Sequence, residues 1–207
     1  LLPATVEERV DVVSSARPSA TSSTAAKVGT PVLQVPQTID IVQAGVLREQ
    51  AAVSLADALR NVAGVSVNLG EGRRDQFIIR GFSAQNDTLL DGTRDDAPYY
   101  RDVATIERIE VLKGPAAALF GRGSSGGVVN RILKTPRFDA PIGDASISVG
   151  SLGTRRFTGD AGRALTPSVS VRAAAAAEAS SSFRDHAFVT RMTVAPSLLW
   201  TGASSSA

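Results

Sequence analysis

Residues 106–115 restrict this chain more than any other stretch. Apolar Ile109, Val111 and, less strictly, Leu112 alternate with Glu107, Arg108, Glu110 and Lys113. That is the pattern of a strand with one face in a core and one polar face. Gly114 and Pro115 break it, since proline pre-sets φ for a first helical turn. Residues 116–120 then read as a short helix, 121–127 as a glycine-rich loop and 128–134 as a second strand. Such a loop can cradle phosphate, but the Gly-Lys-Ser/Thr ending of the Walker pattern is absent here. The glycines read instead as sharp turns where side chains would clash.

Composition removes several classes of function. Cysteine is absent, which excludes disulfides, thiol catalysis and cysteine-bound metals. His186 is the single histidine, so a multi-histidine metal site is excluded and a Ser-His-Asp triad has one candidate base. The net charge of +2 comes without a basic run, so no nucleic-acid partner is indicated. No apolar run reaches the roughly 18 residues of a transmembrane helix, although barrel strands escape that test. The first residue is Leu1 rather than Met, which fits a mature protein or a fragment.

Residues 1–36 are rich in Ser, Ala, Thr and Pro and bury too little apolar surface to offset their ordering entropy. Within them, residues 6–13 have strand character, open to two readings: a disordered tail, or an extended segment that adds to a partner's sheet edge. From residue 37 to 136 the signals are those of a domain. Residues 38–42 alternate as a strand. Residues 44–50 and 54–62 read as helices, with Ser54 as N-cap and Gly64 as terminator. Residues 65–69, 76–80 and 88–90 are strands, and Asp91-Gly92 is a turn. Tyr99 and Tyr100 stand in a polar loop, where paired rings mark a contact surface or pack the loop down. From 141 to 207 the texture changes. Residues 145–149 and 168–172 alternate, 150–153 form a turn, 155–161 look mixed, and 191–200 form a strand interrupted by Pro196.

Laid out in order, these residues resemble a TonB-dependent outer-membrane receptor of the ferric-siderophore type. The landmarks are Thr30-Pro31, Val35-Pro36-Gln37, residues 55–59 with Gly64-Val65, residues 79–82, Asp91-Gly92, Arg101-Asp102, residues 107–115, residues 119–121, and Gly126-Gly127 with Asn130. The resemblance implies an α+β fold: a receptor plug domain with a small mixed sheet and short helices, followed by an incomplete set of antiparallel transmembrane-barrel-type strands. It divides the chain into a flexible N-terminal segment at 1–36, a plug at 37–136 and the start of a barrel at 141–207. It also implies a non-enzymatic receptor in the outer membrane of a Gram-negative-type bacterium. Its partners would be a ferric siderophore, the TonB energy-transducing protein and outer-membrane lipid. Iron would enter only inside its chelator, with no cofactor and no protein metal ligand.

Site residues follow from the same resemblance. Val6, Glu7, Glu8, Arg9, Val10, Asp11 and Val12 lie where the TonB box belongs. Ser83, Ala84, Gln85, Tyr99, Tyr100 and Arg73, with Arg74 beside it, are expected to meet the ligand from apical loops. Arg80, Glu107, Arg108, Glu110 and Lys113 are expected to meet the barrel wall. About three or four strands fit in residues 141–207, against about 22 in a complete transporter barrel. The expectation is therefore a piece of a receptor that cannot transport alone, or a soluble periplasmic module reusing the plug.

Overall fold

A computed structural model describes residues 35, 37–68, 75–95, 97, 99–115, 126–183 and 186–202. The expected TonB box, Arg73, Arg74, the helix at 116–120 and residues 121–125 of the glycine loop lie outside them.

The first unit is built on a five-stranded mixed sheet. Its strands are β1 (Thr38–Gln43), β5 (Thr88–Leu90), β6 (Thr93–Arg94), β7 (Ile106–Lys113) and β8 (Gly127–Leu133), in the order β1-β7-β8-β5-β6. Only β5 and β8 run parallel. Beside it lie a small sheet of β2 (Val65–Val67), β3 (Phe77–Ile79) and β4 (Phe82–Ser83), and helices α1 (Ala44–Glu49) and α2 (Leu55–Leu59). The α2 start is a complete capping box: the Ser54 hydroxyl accepts from Asp57 N–H, and the Asp57 carboxylate accepts from Ser54 N–H. Leu55, Ala58 and Leu59 then fall on one helix face and join Phe77, Ile79, Ile109, Val111 and Val129 in the core. A second cluster, Leu89, Leu112 and Val128, covers the other side of the sheet.

The expected one-sided strand at 106–113 is therefore covered on both faces. It lies between β1 and β8, and Glu110 is fully buried. Arg80 and Gly81, both at positive φ, form the tight turn from β3 to β4. Gly127 permits the close pairing of β7 and β8: a Cβ there would overlap the Leu112 carbonyl oxygen.

The second unit is one antiparallel sheet in the order β12-β11-β10-β9. Its strands are β9 (Ile142–Val149), β10 (Arg155–Thr166), β11 (Val169–Ser181) and β12 (Phe188–Trp200). The mixed-looking stretch 155–161 is thus part of a twelve-residue strand. Pro196 does not interrupt β12. It pairs with Ala173 in unbroken register, on a strand with a neighbour on one side only, where proline's missing N–H is tolerated.

The sheet has two chemically different faces. Ile147, Val149, Phe157, Leu165, Phe188, Met192, Val194, Leu198 and Trp200 are all exposed on one side. The alternate positions Arg156, Asp160, Ser170 and Arg172 are buried against the first unit. At about 3.3 Å per residue and a tilt near 45°, strands of twelve or thirteen residues reach about 30 Å, the thickness of a bilayer core.

Candidate functional site

Two clusters of charge join the units. In the first, Arg156 of β10 grips Asp102 with both ends of its guanidinium, at 2.8 Å and 2.7 Å. Arg156 also donates to Glu178 of β11 at 2.9 Å, and Arg191 of β12 pairs with the same carboxylate at 2.7 Å. The Arg191 guanidinium lies 3.6 Å from the centre of the Tyr100 ring. Asp102 has a local task as well, because its carboxylate accepts from Ala104 N–H at 2.8 Å and caps the 3-10 turn Val103–Thr105.

In the second cluster, Arg172 of β11 holds Asp160 of β10 with two bonds of 2.9 Å and 2.8 Å. Its Nη1 also donates to Glu107 Oε2 at 3.1 Å and to the Thr135 carbonyl at 2.9 Å. Lys134 Nζ stands 2.9 Å from Asp160, and Arg137 lies 3.5 Å from Glu107. Glu107 is carried there by a bulge, since the β7–β8 register shifts between Ile106 and Arg108. An extra residue in a strand is a standard way to re-aim a side chain. Dry ion pairs of this kind add little net stability as a unit, yet each is costly to break by removing one partner.

Of the five residues expected at the barrel wall, Glu107 is the one these contacts place there. The other four bond within the first unit. Arg80 donates to Thr38 Oγ1 at 3.3 Å, Arg108 pairs with Glu110 at 2.9 Å, and Lys113 pairs with Asp40. Glu110 also accepts from Asn130 at 3.2 Å. The residues missed were Asp102, Lys134, Arg156, Asp160, Arg172, Glu178 and Arg191. Their signal was present in β10 and β11, where Arg156, Asp160, Arg172 and Glu178 all fall on one set of alternate positions, but Arg155, adjacent to Arg156 and on the opposite face, masked it.

The expected ligand loops divide as well. Ser83 and Gln85 are exposed, whereas Ala84 is fully buried in the core and is removed from any contact face. Tyr100 is half-buried under Arg191, and burial pushes its phenol pKa up against the pull of that charge. It serves the seam between the units rather than the loop surface. Tyr99 stays exposed, with its hydroxyl donating to Asp95. Arg94 draws the two loops together by donating to the Asn86 carbonyl at 2.9 Å.

Under Tyr99 lies a buried network. Arg101 donates to the carbonyls of Tyr99 (3.2 Å), Asp95 (3.0 Å) and Ala97 (2.7 Å), and to Thr88 Oγ1 (3.2 Å). Its guanidinium carbon is 4.4 Å from the Tyr99 ring centre, and that of Arg131, which pairs with Asp95, is 5.8 Å away. Burial acts to raise the Asp95 pKa, but the Tyr99 hydrogen bond and the Arg131 and Arg101 charges outweigh it and hold the carboxyl low. For Asp75, burial prevails over the Arg101 N–H and guanidinium, and its pKa is raised. Among the described residues, no group of three or more His, Cys, Asp or Glu is placed to hold a metal ion.

A compact unit ion-paired to the polar face of a sheet whose other face is apolar matches known proteins in both sequence and shape. Residues 31–128 match the TonB-dependent receptor plug domain. The first unit belongs to the TonB-dependent receptor plug domain family. It is 36% identical over 151 residues to the catecholate siderophore receptor Fiu of Escherichia coli, covering 70% of this chain and 20% of that receptor. It is 30% identical over 200 residues to the ferrioxamine receptor of Yersinia enterocolitica, covering 92% and 28%. The open-form crystal structure of E. coli Fiu superposes with a TM-score of 0.78 at 34% identity, covering 87% of this chain and 27% of that one. The siderophore receptor PiuA of Acinetobacter baumannii also gives 0.78, at 28% identity over 86% and 26%. The chain thus spans 20% to 28% of the length of these relatives. In that light the first unit is a receptor plug, and β9–β12 are antiparallel strands of the barrel type.

Proposed function

We propose that this chain is the plug and first barrel strands of an outer-membrane receptor that takes up a ferric siderophore with energy from TonB. The observation that carries this reading is the two-faced sheet. Its inner charges are matched to the plug, and its outer face offers large apolar side chains where lipid would lie. A soluble periplasmic module built on the same plug would leave that face against water, so the membrane reading is preferred. Binding is non-catalytic, and iron stays wrapped in its chelator without resident cofactor or protein ligand. The ligand face is Tyr99 with Ser83 and Gln85, joined by Arg73. The segment from Val6 to Val12 adds as a strand to TonB.

The test has two parts. Fractionation of cells producing the receptor should recover it with the outer membrane, and recovery in the soluble periplasm would reject the reading. Titration with iron(III) tris(2,3-dihydroxybenzoate) and with ferrioxamine B should quench intrinsic fluorescence for at least one of them. Tyr99→Ala should weaken that response.

A further inference from the structure

We infer that Arg101 is the positioning residue of the ligand loop: its buried guanidinium fixes the backbone at Asp95, Ala97 and Tyr99 and so sets how Tyr99 is presented. This rests on the ligand face proposed above. Arg101 is 2% exposed, too deep to touch a ligand on the plug surface. Its donors nevertheless go to the loop's own carbonyls, at 95, 97 and 99, together with the Thr88 hydroxyl. Alternate carbonyls gathered on one planar donor cannot rotate independently, so one side chain ties the loop down at three positions. The same guanidinium lies under the Tyr99 ring, at 4.4 Å, where a cation holds an aromatic face.

The outer end of the ring is fixed as well. The Tyr99 hydroxyl donates to Asp95, the residue Arg131 also grips, and Arg101 Nε stands 3.6 Å from the same carboxylate. The tyrosine is held at both ends before any ligand arrives, which lowers the ordering entropy left for binding. Lysine cannot reproduce this arrangement, because an ammonium is a point donor without the planar fork. The chain also continues from Arg101 into Asp102, whose carboxylate is held by Arg156 of the barrel sheet. The anchor is therefore itself anchored.

The test is a double-mutant cycle on the receptor in outer-membrane vesicles, read as the Kd for whichever of the two ferric chelates binds. Arg101→Gln and Arg101→Lys are each expected to weaken binding about tenfold, the loss of one or two charge-assisted bonds' worth of order. Adding Tyr99→Ala to either should cost little more, because the ring is already misplaced. Hydrogen exchange of the Asp95, Ala97 and Tyr99 amides in the ligand-free protein should rise in both variants, while exchange in β7 stays unchanged. Additive effects of Arg101 and Tyr99 substitutions, or wild-type exchange at the Asp95, Ala97 and Tyr99 amides, would overturn the inference. If Tyr99→Ala alone leaves both titrations unaltered, it is the proposed ligand face that fails. Should Arg101→Gln fail to assemble, Arg101→Lys keeps the buried charge and carries the same comparison.

Discussion

Asp102 does two things with one carboxylate. It caps a 3-10 turn and receives both arms of Arg156. The side chains of the pair are 5% and 9% exposed, so removing the acid leaves a dry guanidinium with Glu178 as its remaining carboxylate. Asp102→Ala is expected to destabilise the receptor by about 3 kcal/mol in urea unfolding, and adding Arg156→Met should restore most of that loss. Glu107→Gln should have a small effect, about 1 kcal/mol or less, because Glu107 is part-exposed and Arg172 keeps its two bonds to Asp160. Asp75 gives a dependence on pH. Its pKa is raised above 3.8 in the folded protein, so the folded state holds this proton over a window where the unfolded chain has lost it. Stability should therefore fall as pH rises from 3.8 through the folded value, then level off. Asp75→Asn, which keeps an acceptor for Arg101 N–H, should flatten that slope in unfolding curves taken across the window.

Strands here depend on features a single substitution can probe. Gly127 pairs with Lys113 at φ +140, and no Cβ fits beneath the Leu112 carbonyl. Gly127→Ala should destabilise the plug by about 2 kcal/mol or more through backbone strain and lost β7–β8 pairing, measured by thermal unfolding. On β12 the two faces should answer in opposite ways to charge. Val194, at mid-strand, is 53% exposed on the apolar side. Val194→Arg should cost about 2 to 4 kcal/mol of stability in the membrane. Val194→Leu should cost nothing measurable by the same vesicle unfolding assay. Equal tolerance of both would remove lipid from that face.

Taken whole, the described residues form a plug fastened to a sheet through two separate charge clusters. Arg156 and Gly162, the β10 partner of Arg172, lie six residues apart on one strand, about 20 Å at 3.3 Å per residue. The clusters share no residue, so Asp102→Asn and Glu107→Gln should add to within about 0.5 kcal/mol in urea unfolding. Strong coupling between them would mean that the plug leaves the sheet as one body once either fastening is loosened.

Much of this was legible in the chain before its fold was seen, and the reason is locality. The Ser54 N-cap, the Asp91-Gly92 turn and the alternation of residues 145–149 are properties of a few consecutive residues. They follow from the geometry of one helix turn or one pleat. Partners are another matter. Glu110 and Lys113 sit on the same strand as Glu107, yet they pair with Arg108 and Asp40, and Glu107 alone of these is turned to Arg172. That outcome depends on β1 lying beside β7, and on one bulge between Ile106 and Arg108. Tyr99 and Tyr100 are adjacent in sequence, yet one lies on the loop surface and the other beneath Arg191. Periodicity tells which residues share a face. It carries no information about which distant strand that face meets, because neighbours and register are settled by the packing of the whole sheet.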